Sequence, residues 1–205
     1  MFRYLNNDKI GNLLVFLASR CEKLCLTKAL KLLYIIDETA VKETGVPVTW
    51  LNYQAWQHGP VANDIYEEIR SERHHVHAAH EISTLDFIKT DTSYNKKRKQ
   101  NETFLTAKID FNDEIFSDYE IQLFQRIIEK YGRLTSNELI ELLHKEGSLW
   151  DKVVKENNLY KDFELLSGKS EHSIPLYSLN EGDIMKRMAF KSAYESLEFQ
   201  EQLIS

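Results

Sequence analysis

The stretch Leu26–Lys42, LTKALKLLYIIDETAVK, decides the fold. Its apolar residues Leu26, Ala29, Leu30, Leu32, Leu33, Ile36 and Ala40 lie around much of a helical circumference rather than on one stripe. A helix that is apolar on several sides must be covered on several sides. This one is therefore read as a central buried element at about 26–43, ended by Gly45 and Pro47. Upstream, Ile10, Leu13, Leu14, Leu17 and Ala18 recur at spacings of three and four, predicting a first helix over Asp8–Ser19 capped by Asn6 or Asn7. Together these predict a mainly α protein: several helices around a central one, with a small β-hairpin at about 82–109 and a C-terminal helix.

Downstream, residues 48–57 are poor in helix signals. Pro60 carries its φ already set, so it is read as opening a third helix to about Ser71, with Val61, Ile65 and Ile69 as its buried stripe. Leu85–Ile88 and Thr103–Thr106 are read as two short strands joined by the polar stretch Asp91–Asn101, with Lys96-Lys97-Arg98-Lys99 at the tip. Ser117 with Glu120, and Thr135 with Glu138, carry the hydroxyl and carboxylate of reciprocal helix caps. Their helices are predicted to run to about Tyr131-Gly132 and Lys145, followed by a turn through Trp150 and Val154. Residues 157–178 read as loop, and a last helix is expected over Glu181–Leu203, capped by Ser178 with Glu181. The expected division is a domain over 1–156, with 157–205 a loop and helix packing on it.

Charge and composition narrow the functions. A formal net charge of −6 opposes general affinity for nucleic acid, whose binding is driven by cations. No run approaches the roughly 20 apolar residues of a membrane span, and the start lacks the order of a signal peptide. The only two cysteines, Cys21 and Cys25, share a helix face and read as small core residues in a reducing compartment. A cytoplasmic protein without a membrane partner is expected.

Several residues invite a chemical reading. Asp37 follows Leu30 and Leu33 around the helix, so its carboxylate turns inward, where an unpaired charge is costly. It is expected to accept hydrogen bonds from the Tyr53–Pro60 turn. A catalytic role lacks a second acid, a nucleophile or a phosphate loop. Trp56, Tyr53 and Tyr66 fit either a core or an interface anchor, with Trp56 leaning to the core. His74, His75, His77 and His80 form the one candidate metal constellation, weighed against a solvated helix end. The basic tip Lys96–Lys99 resembles the wing of a DNA-binding domain, but the helix that would read bases carries Asp64, Glu67 and Glu68. His144 and Trp150 read as a core histidine beneath an indole. No cofactor and no metal is expected.

Three blocks, in order, resemble the Panacea (SocA-like, phage GepA-like) antitoxin family. They are Thr27-Lys28 with Leu32-Leu33-Tyr34 and Asp37; Tyr53-x-Ala55-Trp56-x-x-Gly59-Pro60-Val61 followed by Ile65-Tyr66; and Tyr131-Gly132 through Ser136, Glu138 and Leu139 to His144 and Trp150. The chain departs from the family pattern at His58, where an aromatic is usual, and at Ser148-Leu149 before Trp150. The resemblance implies a non-enzymatic antitoxin of a bacterial or prophage pair that binds and occludes a cognate toxin encoded by the adjacent gene. On that reading the toxin-binding residues are Tyr53, Trp56, His58, Gly59, Pro60 and Tyr66. Thr27, Lys28, Leu33, Tyr34, Asp37, His144 and Trp150 form the structural motif. Because one family member delivers its toxin to a protease, a AAA+ protease is an alternative partner. A winged-helix-like autorepressor contacting DNA through Lys96, Lys97, Arg98 and Lys99 is the other rival.

Overall fold

The computed structural model describes residues 3–71, 83–96 and 99–204. Helix α1 (Arg3–Arg20) buries Ile10, Leu13, Leu14 and Leu17. Helix α2 (Leu26–Thr44) is buried almost all round, from Leu26 through Val41. It ends at Gly45, whose φ of +88° lets its N–H reach Val41 O. A Cβ at Gly45 would lie 2.6 Å from the backbone of Lys186, so the helix end also needs glycine for a close approach.

Residues after α2 form a hairpin rather than an entry to a helix. Strand β1 (Tyr53–Trp56) pairs antiparallel with β2 (Gly59–Ala62), Tyr53 opposite Ala62 and Trp56 opposite Gly59. Pro60 therefore does not open the third helix. Ala55, opposite it, sends its N–H to His172 O on the far edge, so β2 needs no donor at this position and proline is tolerated. Helix α3 begins later, at Asn63, and runs to Ser71 with Ile65 and Ile69 buried.

The second hairpin differs from expectation in length. A 3-10 turn over Thr84–Asp86 holds Leu85, and β3 (Ile88–Asn95) and β4 (Gln100–Ala107) leave only residues 96–99 as the loop. Its outer half is polar on both faces and held by pairs such as Thr92 with Thr103 and Asn95 with Glu102, so apolar alternation could not reveal it. At its base Leu105 N–H donates to Leu24 O, tying the hairpin to the start of α2.

Helices α4 (Asp118–Tyr131) and α5 (Ser136–Leu143) both carry the predicted reciprocal caps at Ser117 and Thr135. Helix α6 (Leu149–Glu156) is capped by Ser148. The predicted loop contains a short α7 (Tyr160–Leu165), and residues 168–174 return beside β1, where Ile174 N–H donates to Tyr53 O and Gln57 N–H to Gly168 O. The cap predicted at Ser178 does not form. Ser178 Oγ donates to Pro175 O inside a 3-10 turn, and α8 (Ile184–Ile204) is opened by Asp183, which accepts from Lys186 N–H. Phe190 and Tyr194 of α8 rest on Trp50, at 5.0 and 6.0 Å between ring centroids.

Candidate functional site

The motif residues separate into a structural knot and an open groove, both built on α2. The knot is centred on Asp37, which is fully buried. Oδ1 accepts from the N–H groups of Val48 and Thr49 at 2.8 and 2.9 Å, and Oδ2 accepts from Tyr53 Oη at 2.8 Å and from the Thr49 hydroxyl. Burial pushes the carboxyl above its ordinary range, and the four donors oppose that shift. Tyr53 meets Tyr34 edge to face at 5.1 Å. The knot thus clamps the connection after α2 and sets the angle at which β1 leaves. Tyr53, expected at the partner surface, is spent here, 1% exposed.

Leu33 is a core residue, and Lys28 is buried with its ammonium donating to Gly132 O at 2.6 Å. That bond fastens the end of α4 to α2.

The groove, about 670 Å³, opens on the other side. Thr27 and Lys31, one turn apart on α2, share it with Trp56 and His58 of the hairpin, Tyr66 and Arg70 of α3, and Thr103 of β4. Gly168 and Lys169 of the returning segment close one side. Trp56 meets Tyr66 edge to face at 5.0 Å, and the Lys169 ammonium lies 4.6 Å from the Trp56 ring and 5.2 Å from that of Tyr66 while pairing with Glu67 at 3.0 Å. Tyr66 is half-buried, and His58 and Arg70 are exposed. An aromatic edge flanked by cations is an arrangement suited to anchoring a partner.

At the meeting of groove and hairpin lies Lys31, 1% exposed, its ammonium donating to Pro60 O at 2.7 Å. Burial lowers its pKa to about 7. Gly59, whose φ of +92° requires glycine, lies directly against this amine: a Cβ there would lie 3.4 Å from Lys31 Nζ and 3.5 Å from His144 Nε2. His144 stacks on Trp150 at 3.7 Å and 6°, and Trp150 Nε1 donates to Trp56 O at 2.8 Å, so the pair props the hairpin from below. Burial, then the charges of Lys31 and His58, lower the His144 pKa to about 4, and its Nε2 has no hydrogen-bond partner among the described residues.

Lys31 escaped the sequence reading, as did Arg70 and Lys169. A lysine in an amphipathic helix reads as solvent-facing. The available signal was its place between Leu30 and Leu32, in a helix whose apolar residues already call for cover on several sides. Lys96 and Lys99 are exposed at the tip of the second hairpin, whereas Lys97, Arg98 and the histidines His74, His75, His77 and His80 lie outside the described residues. Glu68 is buried, accepting from Ser83 Oγ and Thr84 N–H, which makes it a structural carboxylate of α3. Among the described residues no three His, Cys, Asp or Glu side chains group as metal ligands, and no helix is long and apolar enough to cross a membrane.

The knot and most of the groove lining fall inside a wider match. A family model described as "Antitoxin SocA-like, Panacea domain" covers residues 30–151, more than half of the chain. The chain belongs to this family. No curated protein and no solved structure matches it. The Panacea match takes in Lys31, the Asp37 knot, the Gly59-Pro60 hairpin and the His144–Trp150 stack, and it stops short of Gly168 and Lys169.

Proposed function

We propose that this Panacea protein is a cytoplasmic antitoxin that neutralises a cognate toxin, encoded by the adjacent gene, through direct protein binding in the groove. Membership of an antitoxin-like family carries this reading. The groove supports it: Trp56, Tyr66, Lys31, His58 and Arg70 sit on helix and hairpin, and Lys169 on a segment bonded to β1, so little ordering cost opposes association. The acid that the helix pattern brings inward, Asp37, is occupied by four donors within the fold, which favours a binding surface over a reaction centre.

The neighbouring gene is expected to arrest growth when expressed alone, and co-expression with this chain to restore growth and yield a co-purifying complex. A neighbour harmless by itself would remove the main support. Loss of the toxin from cells, rather than inhibition in a purified mixture, would replace occlusion by delivery to a AAA+ protease. The exposed Lys96 and Lys99 keep an autorepressor as a second reading, for which a salt-sensitive operator shift that disappears on neutralising the tip is the test.

A further inference from the structure

The groove holds a buried amine, Lys31, with no carboxylate paired to it among the described residues. Its basic members Lys31, His58, Arg70 and Lys169 face one carboxylate among the described lining residues, Glu102 on the rim, which already accepts from Asn95 Nδ2. Lys169 is paired with Glu67, and among the described residues Arg70 reaches the hydroxyl of Thr103, at 3.5 Å. Among the described residues Lys31 forms no ion pair and donates to a single carbonyl, although an ammonium carries three donors. Close by, His144 Nε2 has no hydrogen-bond partner among the described residues. The first turn of α2 opens on the same space, and its N-cap, Cys25, makes no side-chain cap bond, so amide dipoles add to the positive field there.

We propose that the groove receives a carboxylate of the partner protein, from an aspartate or glutamate side chain, seated against Lys31 and His58 at the start of α2. This rests on the partner-binding reading and names the chemistry it requires. A carboxylate supplies the missing counter-charge and acceptors in one planar group, and desolvated pairs of this kind discriminate strongly between partners. A protein side chain fits better than a nucleic-acid phosphate, because a chain of net charge −6 repels a polyanion as a whole while admitting one acid on a projecting loop. The lowered basicity of Lys31 fits an amine waiting for its counter-ion: an arriving carboxylate restores its proton, so binding near neutral pH takes up protons.

The test has two arms. In the first, the full chain is titrated with N-acetyl-glutamate N-methylamide and with its glutamine counterpart while the imidazole resonances of His58 and His144 are followed. The acid is expected to shift both resonances and the amide neither, with the response lost in Lys31→Met. Equal response to acid and amide, or response to a short single-stranded oligonucleotide and not to the acid, overturns the proposal. In the second arm the neighbouring-gene protein is titrated by calorimetry. Lys31→Met is expected to weaken binding by about 10- to 100-fold, and His58→Gln, an exposed position that leaves the core intact, by about 3-fold or more. Wild-type binding that both variants retain within about 2-fold overturns the carboxylate site and leaves the antitoxin reading standing. Absence of wild-type binding overturns the antitoxin reading, and the glutamate titration then decides the site alone.

Discussion

Asp37 and Lys31 are both buried charges on one helix, six residues apart, and their surroundings differ in kind. Asp37 is surrounded by four donors, two of them backbone N–H groups, and a carboxylate so held is a structural component. Asp37→Ala leaves those donors buried and unanswered. A loss of about 3–5 kcal/mol is expected, read from the urea midpoint, and a loss below about 1 kcal/mol would show the knot to be dispensable. The inward turn of Asp37 was legible because the helical period places it under Leu30 and Leu33. Its amide donors were not, because they come from Val48 and Thr49, in a connection whose path periodicity does not describe. Lys31 was illegible for a related reason: the carbonyl that receives its amine belongs to Pro60, in a hairpin remote in sequence.

At the scale of elements, the clearest sequence signals were local ones. The caps at Ser117 and Thr135 formed as written, since hydroxyl and carboxylate three residues apart satisfy each other's neighbours without tertiary help. Gly59-Pro60 misled because proline suits a helix start and an undemanding strand position equally, and only the His172 pairing on the far edge decides between them. The distinction is measurable. Pro60→Ala is expected to change stability by less than about 1 kcal/mol, as no donor is needed there. Gly59→Ala is expected to cost about 1–3 kcal/mol, since φ is +92° and the new methyl meets Lys31 at 3.3 Å. Thermal unfolding of the two variants side by side checks this, and equal losses would contradict the hairpin. The outer half of the second hairpin and α7 were missed because both are polar segments whose order comes from pairing and packing rather than from an apolar rhythm.

For the whole molecule, the buried bases predict how stability follows pH. His144 ordinarily titrates at 6.5 and falls to about 4 in the fold, so its contribution is complete above 6.5 and is lost as pH drops through 4. Lys31 falls from 10.5 to about 7, so folding gains as pH rises from 7 toward 10.5. The thiol of Cys21 and the phenols of Tyr34 and Tyr53, all pushed up by burial, set the ceiling, since each favours the unfolded chain once the pH passes its ordinary value. Urea unfolding is expected to show stability climbing by about 1 kcal/mol per pH unit between about pH 7 and 8.5, and Lys31→Met to flatten that rise. A wild type already flat across this window would mean that the amine is not held as described.

The segment that returns beside β1 gives this architecture an unequal division of labour. The family-matched stretch furnishes most of the lining and the first turn of α2 precedes it, whereas Gly168 and Lys169, beyond its last residue, form a side wall. A chimaera grafting another tail onto this body would keep the bond from Lys31 to Pro60 O while changing the side chains that edge the groove. On the binding role proposed above, that side wall is the part recombination would exchange, since Asp37, Lys31 and the groups bonded to them all lie in the body.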